Sequence, residues 1–384
     1  MTKRVIIFST TYFPLVGGAE VAMKEVTDRL PGWQFDLFCA RLKKGLPSTE
    51  KIGNVTVHRV GFGHSVDKYL LPILGPVSSL TVHRSPFIAH RSPPVIWSLM
   101  ASYGGFAALV YTWLRPKTKL LLTLQEGDPL EHYAKRAGRF EFLHKMIFKR
   151  ADSVQAISNF LAEWAVKMGF RGKPEVIPNG VDMEKFTCRI SAEERQKLRD
   201  RWKVRDQDVV LITASRLSLK NGVDDLVRSL VHLPLNYKVV IAGEGEDREK
   251  LSNLVEELKL EDRVIFLGKK SHDELPGILQ ASEIFVRASI SEGLGNSFLE
   301  AMAAGIPIIG TPVGGIPDFL IDGETGVFCK PHDPESIAMA VLRIQEEPGL
   351  REKLVINGND LVSREYEWIG IAGRVEKLLN TLIG

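Results

Sequence analysis

The sequence predicts an α/β protein of two domains, each built on a doubly wound parallel sheet. Three observations carry this. At 384 residues the chain exceeds what one hydrophobic core normally organises. Short apolar runs alternate with helix-length segments, the pattern of strands joined by crossover helices. The alternation breaks at a polar, helix-like segment, residues 191–202, and starts afresh beyond it.

The first run, residues 4–9, reads as a buried strand. It leads through a loop containing Gly17 and Gly18 into a helix over residues 19–30. Further strands are expected at 35–39, 55–60, 95–98, 120–124, 153–157 and 175–177. Residues 95–114 carry no charge over twenty positions, enough to imitate a membrane span. Pro93 and Pro94 precede them and Gly104 and Gly105 interrupt them, so the stretch divides into a strand and a buried helix over 101–114. In the second half, strands are expected at 209–214, 238–242, 264–267, 284–287 and 307–310, with helices at 222–230, 247–258, 272–281 and 297–304. Beyond residue 363 the chain reads as helical and is expected to pack back on the first domain. The expected boundaries are 1–188 with 364–384, and 189–363, giving two Rossmann-like domains facing a cleft.

Composition narrows the function classes. Three cysteines, Cys39, Cys188 and Cys329, are too few and too scattered for a disulfide framework or a zinc site, which fits a reducing compartment. The apolar run near Met1 is too short for a signal peptide, so a cytoplasmic location is expected. Residues 1–190 hold 26 Lys and Arg against 15 Asp and Glu, a net +11, while the remainder is −8. No helix-turn-helix and no aromatic-interleaved basic motif accompanies this charge, so nucleic acid is not the expected partner. An anionic membrane, an acidic acceptor and a plain solvated surface remain open. Lys135, Arg136, Arg139, Lys145, Lys149 and Arg150 fall in one helical region. Its Phe140, Phe142, Leu143, Met146, Ile147 and Phe148 either insert in a membrane or pack inward.

The motif richest in chemistry is SEGLGNSFLEAMAAG, residues 291–305. Gly293 and Gly295 flank Leu294 and let backbone approach a ligand. A helix opening near Asn296 points N–H groups and the positive end of its dipole at an anion. Glu292 and Glu300 are poor phosphate ligands but good acceptors for sugar hydroxyls, which suits Glu292 to a hexose and Glu300 to a ribose. ASRLSLKNG, residues 214–222, follows a buried strand and places Arg216 and Lys220 at the sheet edge, where two cations suit a diphosphate. In TYFPLVGGAE, residues 11–20, Gly17 and Gly18 permit close approach to phosphate or form a simple turn. GEGED, residues 243–247, has the glycine spacing of half a dinucleotide fingerprint, but its acidic residues would repel phosphate, and it reads as a tight turn.

Together with IPNGVD at 177–182 and VGGIPDFLIDGETG at 313–326, these segments resemble glycosyltransferase family 4. The likeness is densest over 153–334 and loose over 60–135. It implies the GT-B fold, a nucleotide-sugar donor in the C-terminal domain and an acceptor mainly in the N-terminal one. It also implies metal-independent transfer with retention of anomeric configuration. Residue by residue, it assigns Arg216 and Lys220 to the diphosphate, Glu292 to the donor sugar, Glu300 to the ribose, and Gly17 and Gly18 to the loop over the phosphates. Gly293, Leu294, Gly295 and Asn296 complete the donor loop. Arg216, Lys220 and Glu292 are the catalytic candidates. The donor is expected to be a UDP- or GDP-sugar, with no further cofactor and no metal, since no Asp-X-Asp or His cluster lies in a suitable loop. The acceptor is a hydroxyl of a glycan, a lipid-linked sugar or a small molecule. Many relatives carry a His in the loop after the fourth strand; here Gln125 stands there, with Glu126 and Asp128 as further acceptor-side candidates, either receiving a hydroxyl proton or capping structure. His132 and His144 are expected at the surface. Asn221 separates Lys220 from the glycine that usually follows it. A sugar-nucleotide epimerase or hydrolase of the same fold, and a catalytically dead binding module, are the rivals. The first does not use a paired-glutamate loop, and the second should have lost one of the key charges.

Overall fold

The computed structural model describes residues 3–82, 95–128 and 141–383. Two compact units emerge, one of residues 1–179 with 368–384 and one of residues 180–367.

The strands of the first unit are β1 (Lys3–Phe8), β2 (Trp33–Ala40), β3 (Thr49–Ile52), β4 (Val55–Val60), β5 (Val95–Leu99), β6 (Leu120–Leu124), β7 (Ser153–Ala156) and β8 (Glu175–Val176). Among the described residues they form one sheet in the order β3-β4-β2-β1-β5-β6-β7-β8. All neighbours are parallel except β3, which runs antiparallel to β4. β1 sits centrally, with Val5 opposite both Phe35 and Val95. Its alternate residues serve opposite faces. Val5 and Ile7 pack under helix α1 (Gly18–Asp28) and the C-terminal helix Trp368–Ile383, while Ile6 and Phe8 pack under α2 (Asp67–Val82) and α3 (Tyr103–Leu114). Cover on both faces explains why β1, β5 and β6 are runs of apolar residues with almost no alternation. The C-terminal helix returns to this unit as expected. It buries Trp368, Ile371, Val375, Leu378 and Leu379 along one stripe, and Trp33 Nε1 donates to Glu376 at 2.9 Å. Burying each of Val375 and Leu379 contributes about 1.5–3 kcal/mol.

Several elements were not expected. β3 is polar because it is an edge strand, and the turn into β4 depends on Gly53, whose φ is +56° and where a Cβ would meet Asp28 Oδ1 at 2.1 Å. α2 contains Pro72 and Pro76, residues that argue against helix in a sequence. The described part of the expected basic helical region is α4 (Glu141–Arg150), which carries Lys145, Lys149 and Arg150, with Ile147 and Phe148 packed inward and Phe142 exposed. Pro93, Pro94, His132, Lys135, Arg136, Arg139 and Phe140 lie outside the described residues.

The second unit holds β9 (Val209–Ala214), β10 (Tyr237–Ala242), β11 (Val264–Gly268), β12 (Ile284–Arg287), β13 (Ile308–Gly310) and the unexpected two-residue β14 (Val327–Phe328). They form a parallel sheet in the order β11-β10-β9-β12-β13-β14. Chain order runs outward in one direction from β9 and in the other from β12. The switch of winding therefore falls between β9 and β12, where doubly wound sheets open a ligand crevice at their carboxyl ends.

Candidate functional site

Both charged motifs of the second unit sit at this switch point. The loop carrying Arg216 and Lys220 leaves β9, and the loop carrying Glu292 leaves β12. The two backbones touch. Ile290 N donates to Lys220 O at 2.7 Å, and Gly222, with φ +61°, lies where a Cβ would be 1.9 Å from Ala288 O. Only glycine fits there.

Arg287, the last residue of β12, ties the assembly together. Its Nη2 donates to Asn221 Oδ1 at 2.7 Å, its Nη1 donates to Ser297 Oγ at 3.0 Å, and Nη2 lies 2.5 Å from Glu292 Oε2. Asn221 in turn donates from Nδ2 to Arg216 O at 2.6 Å. A mostly buried guanidinium thus fixes three segments at once: the cationic loop, the glutamate loop and the first turn of the helix Asn296–Ala303. The planar fork of Arg allows this, and a Lys could not reproduce it. Arg287 was not singled out from sequence, and Asn221 was noted there only as the residue between Lys220 and the following glycine. The available signal was a charged residue ending an otherwise apolar strand run at the sheet's carboxyl edge.

Glu292 is buried, with Gly293 N donating to its Oε1 at 3.1 Å. Its own carbonyl accepts from Gly315 N at 3.1 Å, and Gly314 lies where a Cβ would be 1.8 Å from that carbonyl oxygen, so the VGG turn is a brace for the glutamate loop. Leu294 is buried, which leaves backbone as the ligand-facing part of that residue. Gly295, at φ +96°, is the N-cap of the helix and supplies no side-chain oxygen to its first N–H groups.

The remaining two charges have other partners. Glu300 Oε1 lies 3.0 Å from His272 Nε2, and the His272 ring meets Phe186 edge-on at 5.2 Å. Arg216 turns to Glu246, with Nε and Nη2 at 3.1 and 3.0 Å from Oε2. The GEGED glycines serve packing: Cβ atoms at Gly243 and Gly245 would be 1.8 Å from Ser215 O and 2.1 Å from Leu217 O.

In the first unit, the winding switches between β1 and β5. The loops after these strands meet through Thr10 Oγ1 and Ser102 Oγ, 3.0 Å apart, and Gly104 lies where a Cβ would be 2.7 Å from Phe8 O. Gly17 caps α1, its N donating to Glu20 Oε2 at 2.7 Å, and Gly18 opens the helix. A Cβ at Gly17 would find that oxygen at 3.4 Å, so packing does not require glycine there. After β6, Gln125 Oε1 accepts from Asn179 Nδ2 at 3.1 Å, and Asp128 is exposed. Glu126 is buried. Its Oε1 accepts from Ala101 N at 2.8 Å, while Oε2 has no hydrogen-bond partner among the described residues. Burial pushes its carboxyl up to about 7, against the opposing pull of the backbone N–H bonds. His144 differs from its expected surface position. It is half-buried against Phe106, 4.9 Å between ring centroids, and burial lowers its pKa.

Comparison with known proteins decides the family. A model of glycosyl transferases group 1 matches residues 194–360, and a model of Glycosyltransferase Family 4 matches residues 16–185. The chain belongs to glycosyltransferase family 4. The chain is similar to an uncharacterised glycosyltransferase of Methanocaldococcus jannaschii, 25% identical with 99% of each chain covered. It is also similar to a GDP-mannose-dependent alpha-(1-6)-phosphatidylinositol monomannoside mannosyltransferase of Mycobacterium tuberculosis, 24% identical with 98% of each covered. Among solved structures, Anabaena HepE in complex with UDP and glucose superposes with a TM-score of 0.81 at 19% identity, covering 99% of this chain and 100% of that one. The fold of the family 4 chain is therefore GT-B, with a Rossmann-like sheet in each unit.

Proposed function

We propose that the protein transfers a hexose from a UDP- or GDP-sugar to an acceptor hydroxyl, with retention of configuration and without a divalent metal or other cofactor. The observation that carries this is the Arg287 assembly, which joins the Lys220 loop and the Glu292 loop at the winding switch. Lys220 and Arg216 neutralise the diphosphate and the charge that grows on it as the C1–O bond breaks. Arg216 reaches the phosphates by exchanging its exposed partner Glu246. The first turn of the helix Asn296–Ala303, with backbone from Gly293 through Asn296, adds N–H donors, so cationic charge is supplied by the protein. Glu292 accepts hexose hydroxyls, and Glu300, beside His272, accepts those of the ribose. Gly17 and Gly18 let backbone close over the phosphates, and Gln125 and Asp128 meet the acceptor while buried Glu126 holds their loop against Ala101. Retention rests on the family.

The printed name of the mycobacterial relative gives a GDP-sugar donor and a phosphatidylinositol-based acceptor, and the HepE complex holds UDP. With the +11 of residues 1–190, this supports a lipid-linked acceptor presented at an anionic, cytoplasmic membrane surface. The test is a thermal-shift panel of UDP- and GDP-sugars, run with and without EDTA, followed by NMR of the product. One donor at a hundred times its dissociation constant stabilises by about 2.7 kcal/mol. No shift with any donor, activity that EDTA abolishes and manganese restores, or an inverted product each overturns the corresponding part.

A further inference from the structure

The helix α2 is apolar on the wrong side. Its inward face presents Asp67, Leu71, Gly75 and Ser79, and Gly75 lies where a Cβ would be 3.3 Å from the Phe8 ring. Its outward face presents Tyr69, Ile73 and Val77, exposed by 59%, 64% and 51%, and Val66 just before the helix, 57% exposed, continues the stripe at helical spacing. Phe62, in the turn leading into the helix, is 75% exposed. Val82 near the end of α2 and Trp113 and Leu114 at the end of α3 are exposed as well. The two helices pack together, with Tyr69 meeting Tyr103 edge-on at 5.2 Å. An apolar area of this kind on a folded surface marks an interaction site.

Charge says what covers it. From Lys51 to Gln125 the sequence holds eight Lys and Arg and a single acidic residue, Asp67. Asp67 is buried, its Oδ2 accepting the backbone N–H groups of Phe62, Gly63 and His64. No carboxylate between Lys51 and Gln125 therefore faces outward, whereas Lys43, Lys44, Arg115 and Lys117 are exposed; Lys119 is exposed too but pairs with Asp152 at 3.0 Å. A second copy would set these cations against themselves. An anionic bilayer accepts both the stripe and the charge. At 16 residues α2 is about 24 Å long, and among the described residues no helix is long and apolar enough to cross a membrane.

We propose that the outward face of α2, with Phe62 before it and the end of α3 beside it, docks flat on an anionic lipid bilayer. Its apolar side chains enter the headgroup boundary, and Lys68, Arg115 and Lys117 lie against lipid phosphates. This rests on the membrane reading above and names the surface that serves it. It is distinct from α4, whose Ile147 and Phe148 are buried.

The experiment is co-sedimentation of the full chain with vesicles of neutral phosphatidylcholine or of phosphatidylcholine with phosphatidylglycerol, at low and high salt. Two variants are compared, one carrying Phe62→Ser, Tyr69→Ser, Ile73→Gln and Val77→Gln, the other Lys68→Gln, Arg115→Gln and Lys117→Gln. The stripe positions are more than half exposed, so melting temperatures should fall by no more than the loss of the Tyr69–Tyr103 contact allows. The expected result is binding to acidic vesicles only, weakened about tenfold or more by either variant and partly released by salt. No wild-type binding to either vesicle overturns the membrane reading and this surface together. Binding that both variants retain in full overturns the surface alone. A dimer seen by light scattering that the stripe variant abolishes, with no vesicle binding, assigns the face to a second copy and overturns the proposal.

Discussion

The two units place their loops at the same topological position, the winding switch of a doubly wound sheet, yet join them differently. After β9 and β12 the loops are held by a mostly buried guanidinium that meets an amide, a hydroxyl and a carboxylate. After β1 and β5 they are held by two hydroxyls, Thr10 and Ser102, and a backbone contact at Gly104. Among the acceptor-side candidates, Glu126 is buried, with Ala101 N bonded to one carboxylate oxygen and no hydrogen-bond partner for the other among the described residues. The fold supplies a crevice in both cases. What fills it with charge is a set of side chains that topology does not dictate. Preorganised dipoles and charges are the larger source of transition-state stabilisation, so the second unit is where substitutions should hurt most.

That contrast can be broken directly. Lys220→Ala and Glu292→Ala are expected to slow nucleoside diphosphate release from the donor by about 10²–10³, the usual effect of losing a preorganised electrostatic group. Gln125→Ala and Asp128→Ala in the first unit should cost less than about tenfold. Equal losses in both sets would show that the chemistry is not concentrated at the β9/β12 switch. The next effect is on stability. Arg287→Met leaves the Glu292 carboxylate and the Asn221 amide buried without their partner, which should lower unfolding free energy by about 4 kcal/mol in urea titrations. Arg287→Lys should recover part of that stability without recovering donor affinity, since a point charge cannot hold three partners in one plane. If Arg287→Met unfolds at the wild-type midpoint, the guanidinium is not what joins the loops.

How much of this was legible in sequence follows from where each signal lives. β1, β6, β9 and β12 are buried on both faces, and their apolar runs announced them within a residue or two. β3 is a polar edge, and α2 carries two prolines and has apolar residues on both faces, Leu71 inward and Tyr69, Ile73 and Val77 outward, so no amphipathic period marks it. At the site, the glycines and charges of the two motifs could be read because each motif is local. Arg287 and Asn221 are 66 residues apart, and their bond exists only once β9 and β12 lie side by side. The same holds for Glu300 and His272, 28 residues apart.

Glu126 sharpens the comparison from the other side. Its folded value of about 7 lies above the ordinary glutamate value of 4.5, so the fold favours the protonated carboxyl. The stability this gives is fully present below about pH 4.5 and is lost as pH rises through about 7. Between pH 5 and pH 8 the wild type should therefore lose about 2 kcal/mol from this group, and Glu126→Gln should flatten that part of the profile. Urea midpoints at the two pH values give the result. An unchanged slope in the variant would mean that Glu126 is ionised and solvated in the folded chain.

The smallest expected effect concerns Arg216, whose guanidinium is shared with Glu246 on an exposed turn. Exposed ion pairs contribute little to stability, because both partners are well solvated and salt screens them. Glu246→Gln should accordingly leave the melting temperature where it is. It should instead release Arg216 to the donor diphosphate and tighten donor binding by a few-fold at low salt, with the gain shrinking at high salt. The Arg287 pair should behave in the opposite way, since it is mostly buried and its contribution should survive salt. Isothermal titration of the donor into wild type and Glu246→Gln at two salt concentrations reads the difference. Weaker binding in the variant would mean that Glu246 orients Arg216 for the phosphates rather than competing with them, and the β9 loop would then be preorganised throughout, like the Glu292 loop beside it.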